Sequence, residues 1–217
     1  MTQNLSLYHL VREPENKKDK NPLLLLLHGY GSNEEDLFAF APQLPDEYYV
    51  ISARAPYALP PYGNAWYAIN FDAGMNKFSD NEQAVQSRDI IAKFIDELIA
   101  AYPVDENNVT LIGFSQGSIL SYATALTYPE KIKRVAALSG YLNTDIIPEN
   151  IDADKVNKLY FYISHGTVDQ VIPVEWARKA PELLKNFGVD SEYHEYPAGH
   201  GVVPQNFYDL LRWLNKK

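Results

Sequence analysis

The chain has 217 residues, 46% of them hydrophobic, which is enough for one sizeable core and within the range of a single domain. A formal net charge of −9, with the short cluster Lys17, Lys18 and Lys20 set among Glu13, Glu15 and Asp19, argues against nucleic acid and anionic membranes as partners. The lack of cysteine excludes a disulfide framework, a thiolate nucleophile and a Cys-ligated metal.

Residues 1–20 hold no apolar stretch of the roughly 7 to 15 residues that a secretory signal needs, so the chain reads as cytosolic. Residues 5–11 are expected to form an antiparallel strand. The longest apolar run, Leu23 to Leu27, is far short of the roughly 18 residues of a membrane span and reads as a buried strand. Tyr49 to Ser52, Val109 to Ile112, Val135 to Leu138 and Leu159 to Ile163 are further runs apolar on both faces, as strands covered by helices on both sides should be. Glu192 to Tyr196 is more polar and is placed nearer the sheet edge. Between them lie helical patterns at Glu35 to Ala41, Glu82 to Tyr102, Gln116 to Tyr128, Glu175 to Phe187 and Asn206 to Asn215. In the longest, Ala84, Ile91, Ile95, Leu98 and Tyr102 share one face, and Pro103 stops it. The alternation predicts an α/β protein with a mostly parallel central sheet and helices on both faces. One long segment, about Pro56 to Asp80, is rich in Pro, Gly, Asn and aromatics and reads as an irregular, functional loop.

Gly113-Phe114-Ser115-Gln116-Gly117 lies between a strand and a helix, the context of a nucleophile elbow, which makes Ser115 the candidate nucleophile. A serine hydroxyl needs a base. Elbow hydrolases carry their residues in the order Ser, Asp or Glu, His, and only His165, His194 and His200 follow Ser115. His194 falls inside a strand and His165 at a strand end, whereas His200 sits in the loop Ala198-Gly199-His200-Gly201 and is the expected base. Asp169, a few residues past the strand Leu159 to Ile163, is the expected orienting carboxylate, since open α/β sheets build sites at the C-terminal strand ends. Oxyanion donors are expected from the backbone N–H groups of Gln116 and of Tyr30, in the glycine-rich loop after the early strand. Because these are main-chain groups, the Gln116 side chain is expected to matter little.

At this point the sequence resembles the phospholipase/carboxylesterase family of α/β hydrolases, which includes acyl-protein thioesterases and small bacterial carboxylesterases. The resemblance covers about residues 20–215 and rests on LLLHGYG (25–31), RAP (54–56), GFSQGS (113–118), LSGYL (138–142), HGTVDQVIP (165–173) and AGHG (198–201), in that order. It implies the α/β-hydrolase fold, Ser115, Asp169 and His200 as a triad, Tyr30 and Gln116 as oxyanion donors, ester, thioester or lysophospholipid hydrolysis, and no cofactor or metal. Thioesterase-like members carry an acidic residue where this chain has Ser32, and a Trp-aromatic-Asp element where it has Trp66-Tyr67-Ala68. The expectation is therefore simple ester hydrolysis on a small-molecule substrate.

A serine peptidase shares the fold and triad, but the compact chain has no extra domain to recognise peptides. A catalytically silent binding protein is disfavoured because every triad position is filled. The acyl pocket is expected under the long segment, with Trp66 as its main wall and Tyr62, Tyr67, Phe71 and Met75 beside it, because these aromatics follow no period that commits them to the core.

Overall fold

The computed structural model describes residues 5–71 and 77–216, with only the backbone of Phe71, Lys77 and Phe78. The elements run β1 (His9–Arg12), β2 (Asn21–Leu27), α1 (Glu35–Phe38), β3 (Tyr49–Ala53), β4 (Tyr57–Ala58), β5 (Asn64–Ala65), β6 (Ile69–Phe71) and β7 (Lys77–Ser79). They continue with α2 (Asn81–Ala101), β8 (Val104–Phe114), α3 (Gln116–Thr127), β9 (Arg134–Leu138), α4 (Ala153–Val156), β10 (Tyr160–Gly166), α5 (Val174–Ala177), α6 (Ala180–Asn186), β11 (Asp190–Tyr196) and α7 (Pro204–Leu214).

The main sheet has 7 strands in the order β1-β3-β2-β8-β9-β10-β11. Only β1 is antiparallel, pairing with β3 from His9 opposite Ala53 to Arg12 opposite Val50. The chain moves outward from β2 to β3, then crosses to β8 on the other side of β2, so the order reverses between β2 and β8. In open α/β sheets the crevice at that reversal is where ligands bind.

Alternation along β2 builds two cores. Leu23, Leu25 and Leu27 face the side covered by α2 and α3, with Phe94, Ile95 and Leu120. Leu24 and Leu26 face the side covered by α1 and α7, with Leu37, Leu210 and Trp213. All five leucines are at most 1% exposed, and each fully buried leucine contributes about 1.5–3 kcal/mol. Helix α2 starts where the Asp80 side chain accepts a hydrogen bond from the Gln83 N–H.

Two expectations change. The single helix read over Glu175 to Phe187 is two short ones, α5 and α6, because Pro181 has no N–H to continue the first. The long segment is partly regular: β4 pairs with β5 and β6 with β7, each as a small antiparallel ribbon. More of it is core than its composition suggests. Trp66 is 0% and Tyr67 2% exposed, and both pack in the larger core.

Candidate active site

Ser115 stands between the last residue of β8 and the first of α3 with φ 53° and ψ −114°. A left-handed backbone at a non-glycine residue is costly and persists only where the surroundings impose it. Here the Ser115 N–H donates to Leu138 O at 2.9 Å, while Ile119 N–H donates back to Ser115 O at 3.1 Å. The turn also needs its glycines: a Cβ on Gly113 would lie 2.3 Å from Gly117 O, and one on Gly117 would lie 2.0 Å from Leu27 O.

Asp169 follows β10, and His200 lies in the loop between β11 and α7. Those two loops are laced together: Thr167 N–H donates to Tyr196 O at 2.8 Å and Val168 N–H to Ala198 O at 3.1 Å. The result brings the three side chains into line. His200 Nε2 is 2.9 Å from Ser115 Oγ, and His200 Nδ1 is 2.7 Å from Asp169 Oδ2. A carboxylate can only accept, so Nδ1 carries the proton and Nε2 is free to accept from the serine hydroxyl. The Phe114 ring packs 5.0 Å from the His200 ring and steadies it.

Ser115 and Asp169 are each 8% exposed. Burial alone would raise the Asp169 carboxyl, but the Ile172 N–H, the His200 ring and the Val171 N–H outweigh it, and the group is held below its ordinary value. Val171 and Ile172 donate to Oδ1 at 2.8 and 2.9 Å. His165, at the end of β10, lies beside the same carboxylate oxygen, Oδ2. Its Nε2 is 2.8 Å from Ile172 O and 3.3 Å from Asp169 Oδ2.

The backbone N–H groups of Tyr30 and Gln116 make no hydrogen bond among the described residues. Both sit at the sheet's order reversal, one after β2 and the other after β8. His200 Nε2 can accept a proton from Ser115, and the Tyr30 and Gln116 N–H groups are left without a partner among the described residues.

Of the remaining expected residues, Trp66 and Tyr67 meet the site through the Gln116 side chain. Trp66 and Tyr67 are enclosed in the core, so the expectation that they line an open pocket is corrected: side chains with at most 2% of their surface accessible have almost none to offer an acyl group. Tyr62 projects into solvent at 87% exposure. Phe71 is described only by its backbone in β6, and Met75 lies outside the described residues. Among the described residues no group of three or more His, Asp or Glu side chains is placed to hold a metal ion.

The Gln116 side chain, expected to matter little, is 3% exposed and is engaged at both its oxygen and its nitrogen. Its Oε1 accepts from Trp66 N–H and its Nε2 donates to Tyr67 O, both at 2.8 Å. His28, which sequence reasoning passed over, is fully buried, with Nδ1 2.7 Å from Gly29 O and Nε2 accepting from Ala55 N–H at 3.1 Å. Burial pushes its pKa down. Its position directly before the Gly29 and Gly31 pair was the only available signal.

A profile of the family described as Phospholipase/Carboxylesterase matches residues 9–217. A probable carboxylesterase of Oryza sativa subsp. japonica is 28% identical over 144 residues, 66% of this chain and 50% of that protein. The chain thus matches half the length of that relative. The acyl-protein thioesterase 1 of Emericella nidulans is 28% identical over 202 residues, 86% of this chain and 79% of that protein. Among solved structures, a carboxylesterase from Mesorhizobium loti superposes with a TM-score of 0.83 at 18% identity, covering 100% of this chain and 98% of that one. The Bacillus cereus carboxylesterase does so with a TM-score of 0.81 at 23% identity, covering 97% and 94%. At such identities the superpositions speak to the fold, which is that of the α/β hydrolases.

Proposed function

From the premise that the chain belongs to the phospholipase/carboxylesterase family, we propose that it hydrolyses carboxylic esters through an acyl-enzyme on Ser115. The observation that carries this reading is the continuous line from Ser115 Oγ through the His200 ring to Asp169, at 2.9 and 2.7 Å. In the proposed mechanism Ser115 Oγ attacks the ester carbonyl as its proton passes to His200 Nε2. The carbonyl oxygen takes up the charge and accepts from the Tyr30 and Gln116 N–H groups. Collapse expels the alcohol, which leaves with the proton from His200. Water, deprotonated by the same ring, then attacks the acyl-enzyme, and a second collapse releases the acid and restores Ser115. Asp169 holds the ring in its Nδ1–H form throughout and stabilises the charged ring as it forms.

A thioester is the second reading, favoured by the fungal relatives named acyl-protein thioesterase 1. It uses the same steps with a thiol leaving group. We also place the protein in the cytosol; among the described residues no helix is long and apolar enough to cross a membrane.

The test is turnover of p-nitrophenyl esters of graded chain length, beside an acyl-CoA, a lysophospholipid and a peptide amide, with fluorophosphonate labelling of Ser115. Ester turnover with labelling is expected. A protein that labels but cleaves only the amide would be a peptidase, and one that does neither would be a binding protein on a hydrolase fold.

A further inference from the structure

The two groups read above as oxyanion donors belong to different stretches of chain. Tyr30 is in the loop after β2, and Gln116 opens α3. Pairing between β2 and β8 ends at Leu27 opposite Gly113, so strand hydrogen bonds no longer fix the distance between the stretches beyond that point. Yet useful stabilisation of a developing charge requires donors held where the oxygen will be, before it arrives.

Segment 64–67 spans this gap. Toward Tyr30 it holds both flanks: Gly31 N–H donates to Asn64 O at 2.9 Å, Asn64 N–H donates to Ser32 O at 2.7 Å, and the Trp66 indole N–H donates to His28 O at 2.9 Å. His28 in turn clamps Gly29 O and is itself held by Ala55 N–H. Toward the elbow, the Gln116 amide takes Trp66 N–H and gives to Tyr67 O. A further carbonyl of the segment, Trp66 O, accepts from Ser87 Oγ on α2.

We infer that segment 64–67 is a splint that sets the spacing of the Tyr30 and Gln116 N–H groups, with the Gln116 and Trp66 side chains as its ties. The inference rests on the reading of those N–H groups as oxyanion donors. It makes the Gln116 side chain and Trp66 positioning residues, acting through main-chain groups rather than on substrate. The chemistry is selective. The Gln116 site needs an acceptor and a donor on adjacent atoms at the same reach, which an amide supplies. Glutamate keeps the length but faces Tyr67 O with an acceptor, and methionine fills the space with neither.

The experiment compares Gln116→Met, Gln116→Glu and Trp66→Phe with the unaltered protein, using kcat per serine titrated to completion with a fluorophosphonate, KM, and inhibition by an alkyl trifluoromethyl ketone. The ketone is the discriminating probe, because its adduct with serine carries the oxyanion while KM reports mainly the ground state. Gln116→Met and Gln116→Glu are expected to lower kcat per labelled serine about 10- to 100-fold with KM changed less than about threefold, and to weaken the ketone by the same factor as kcat. Trp66→Phe, which removes the bond to His28 O and some buried volume but keeps the Trp66 main-chain bonds, is expected to lie between them and the unaltered protein. If Gln116→Met does not fold, Trp66→Phe decides. A kcat per labelled serine within about twofold of the unaltered protein in every variant that folds, whatever its melting temperature, would overturn the splint and leave the esterase reading standing. An unaltered protein that neither labels nor turns over ester would overturn the esterase reading, and the splint with it.

Discussion

At the scale of single residues, Ser115 carries the most testable weight. Ser115→Ala removes the attacking oxygen but leaves every hydrogen bond of the turn, because those bonds run through the Ser115 N–H and C=O. It is expected to lower kcat by about four to six orders of magnitude, as when any essential member of such a unit is removed, with an unchanged melt. A variant keeping a tenth of the activity would remove Ser115 from the mechanism. The residues that meet here were legible because their chemistry is ordered along the chain: an elbow, then a carboxylate past a strand, then a histidine in a loop. What was not legible is which side chains do structural work between segments. Trp66 and Gln116 lie 50 positions apart in sequence, and no local pattern pairs an indole in an aperiodic stretch with an amide in a turn. In sequence alone Trp66 therefore reads as free for a ligand, although its N–H and indole are already committed in the fold.

At the scale of elements, the turns depend on close packing of backbone against backbone. Gly117→Ala would place a carbon 2.0 Å from Leu27 O, and since neither side is a flexible side chain, α3 must lift from β2. A loss of about 3 kcal/mol or more is expected, read as a lower urea midpoint at constant m. The glycines beside His200 behave differently. A Cβ on Gly199 or Gly201 would meet nothing within 4 Å, whereas one on Gly166, at the end of β10, would meet Ala198 O and Gly199 O at 2.3 Å. Gly199→Ala and Gly201→Ala should change stability by less than about 0.5 kcal/mol. Gly166→Ala should push the His200 loop away and cut kcat by about 100-fold, the cost of roughly 1 Å of misplacement. Activity unharmed in Gly166→Ala would mean that the loop has another anchor. Strands were the most legible elements, because runs apolar on both faces, such as β2, admit few other readings. Helices near proline were the least, as Pro181 breaks a pattern that periodicity alone would continue.

At the scale of the whole molecule, the two cores and the parallel strand sense follow from the alternation of apolar runs and helical patterns. The reversal between β2 and β8 did not, since a run of residues specifies that a strand exists more firmly than which strand lies beside it. Acid stability is a property of this scale, and the two buried groups set separate windows. His28 is held below its ordinary value by burial, so the unfolded chain binds a proton there first, and stability falls as pH drops below the ordinary imidazole value of about 6.5. Asp169 is held below the ordinary carboxyl value, so its contribution is complete above about 3.9 and is lost as pH falls through the folded value. Urea midpoints at pH 7.5 and 5.5 are expected to differ less in His28→Gln than in the unaltered protein. An equal difference would assign the slope to other groups. The order of the sheet also has a consequence in time. Ser115 follows a central strand, but His200 arrives only after β11, the outermost strand on that side, has been laid down. On the proposed mechanism the serine is made long before the ring that would activate it, so a nascent chain is expected to stay inert at least until β11 has docked.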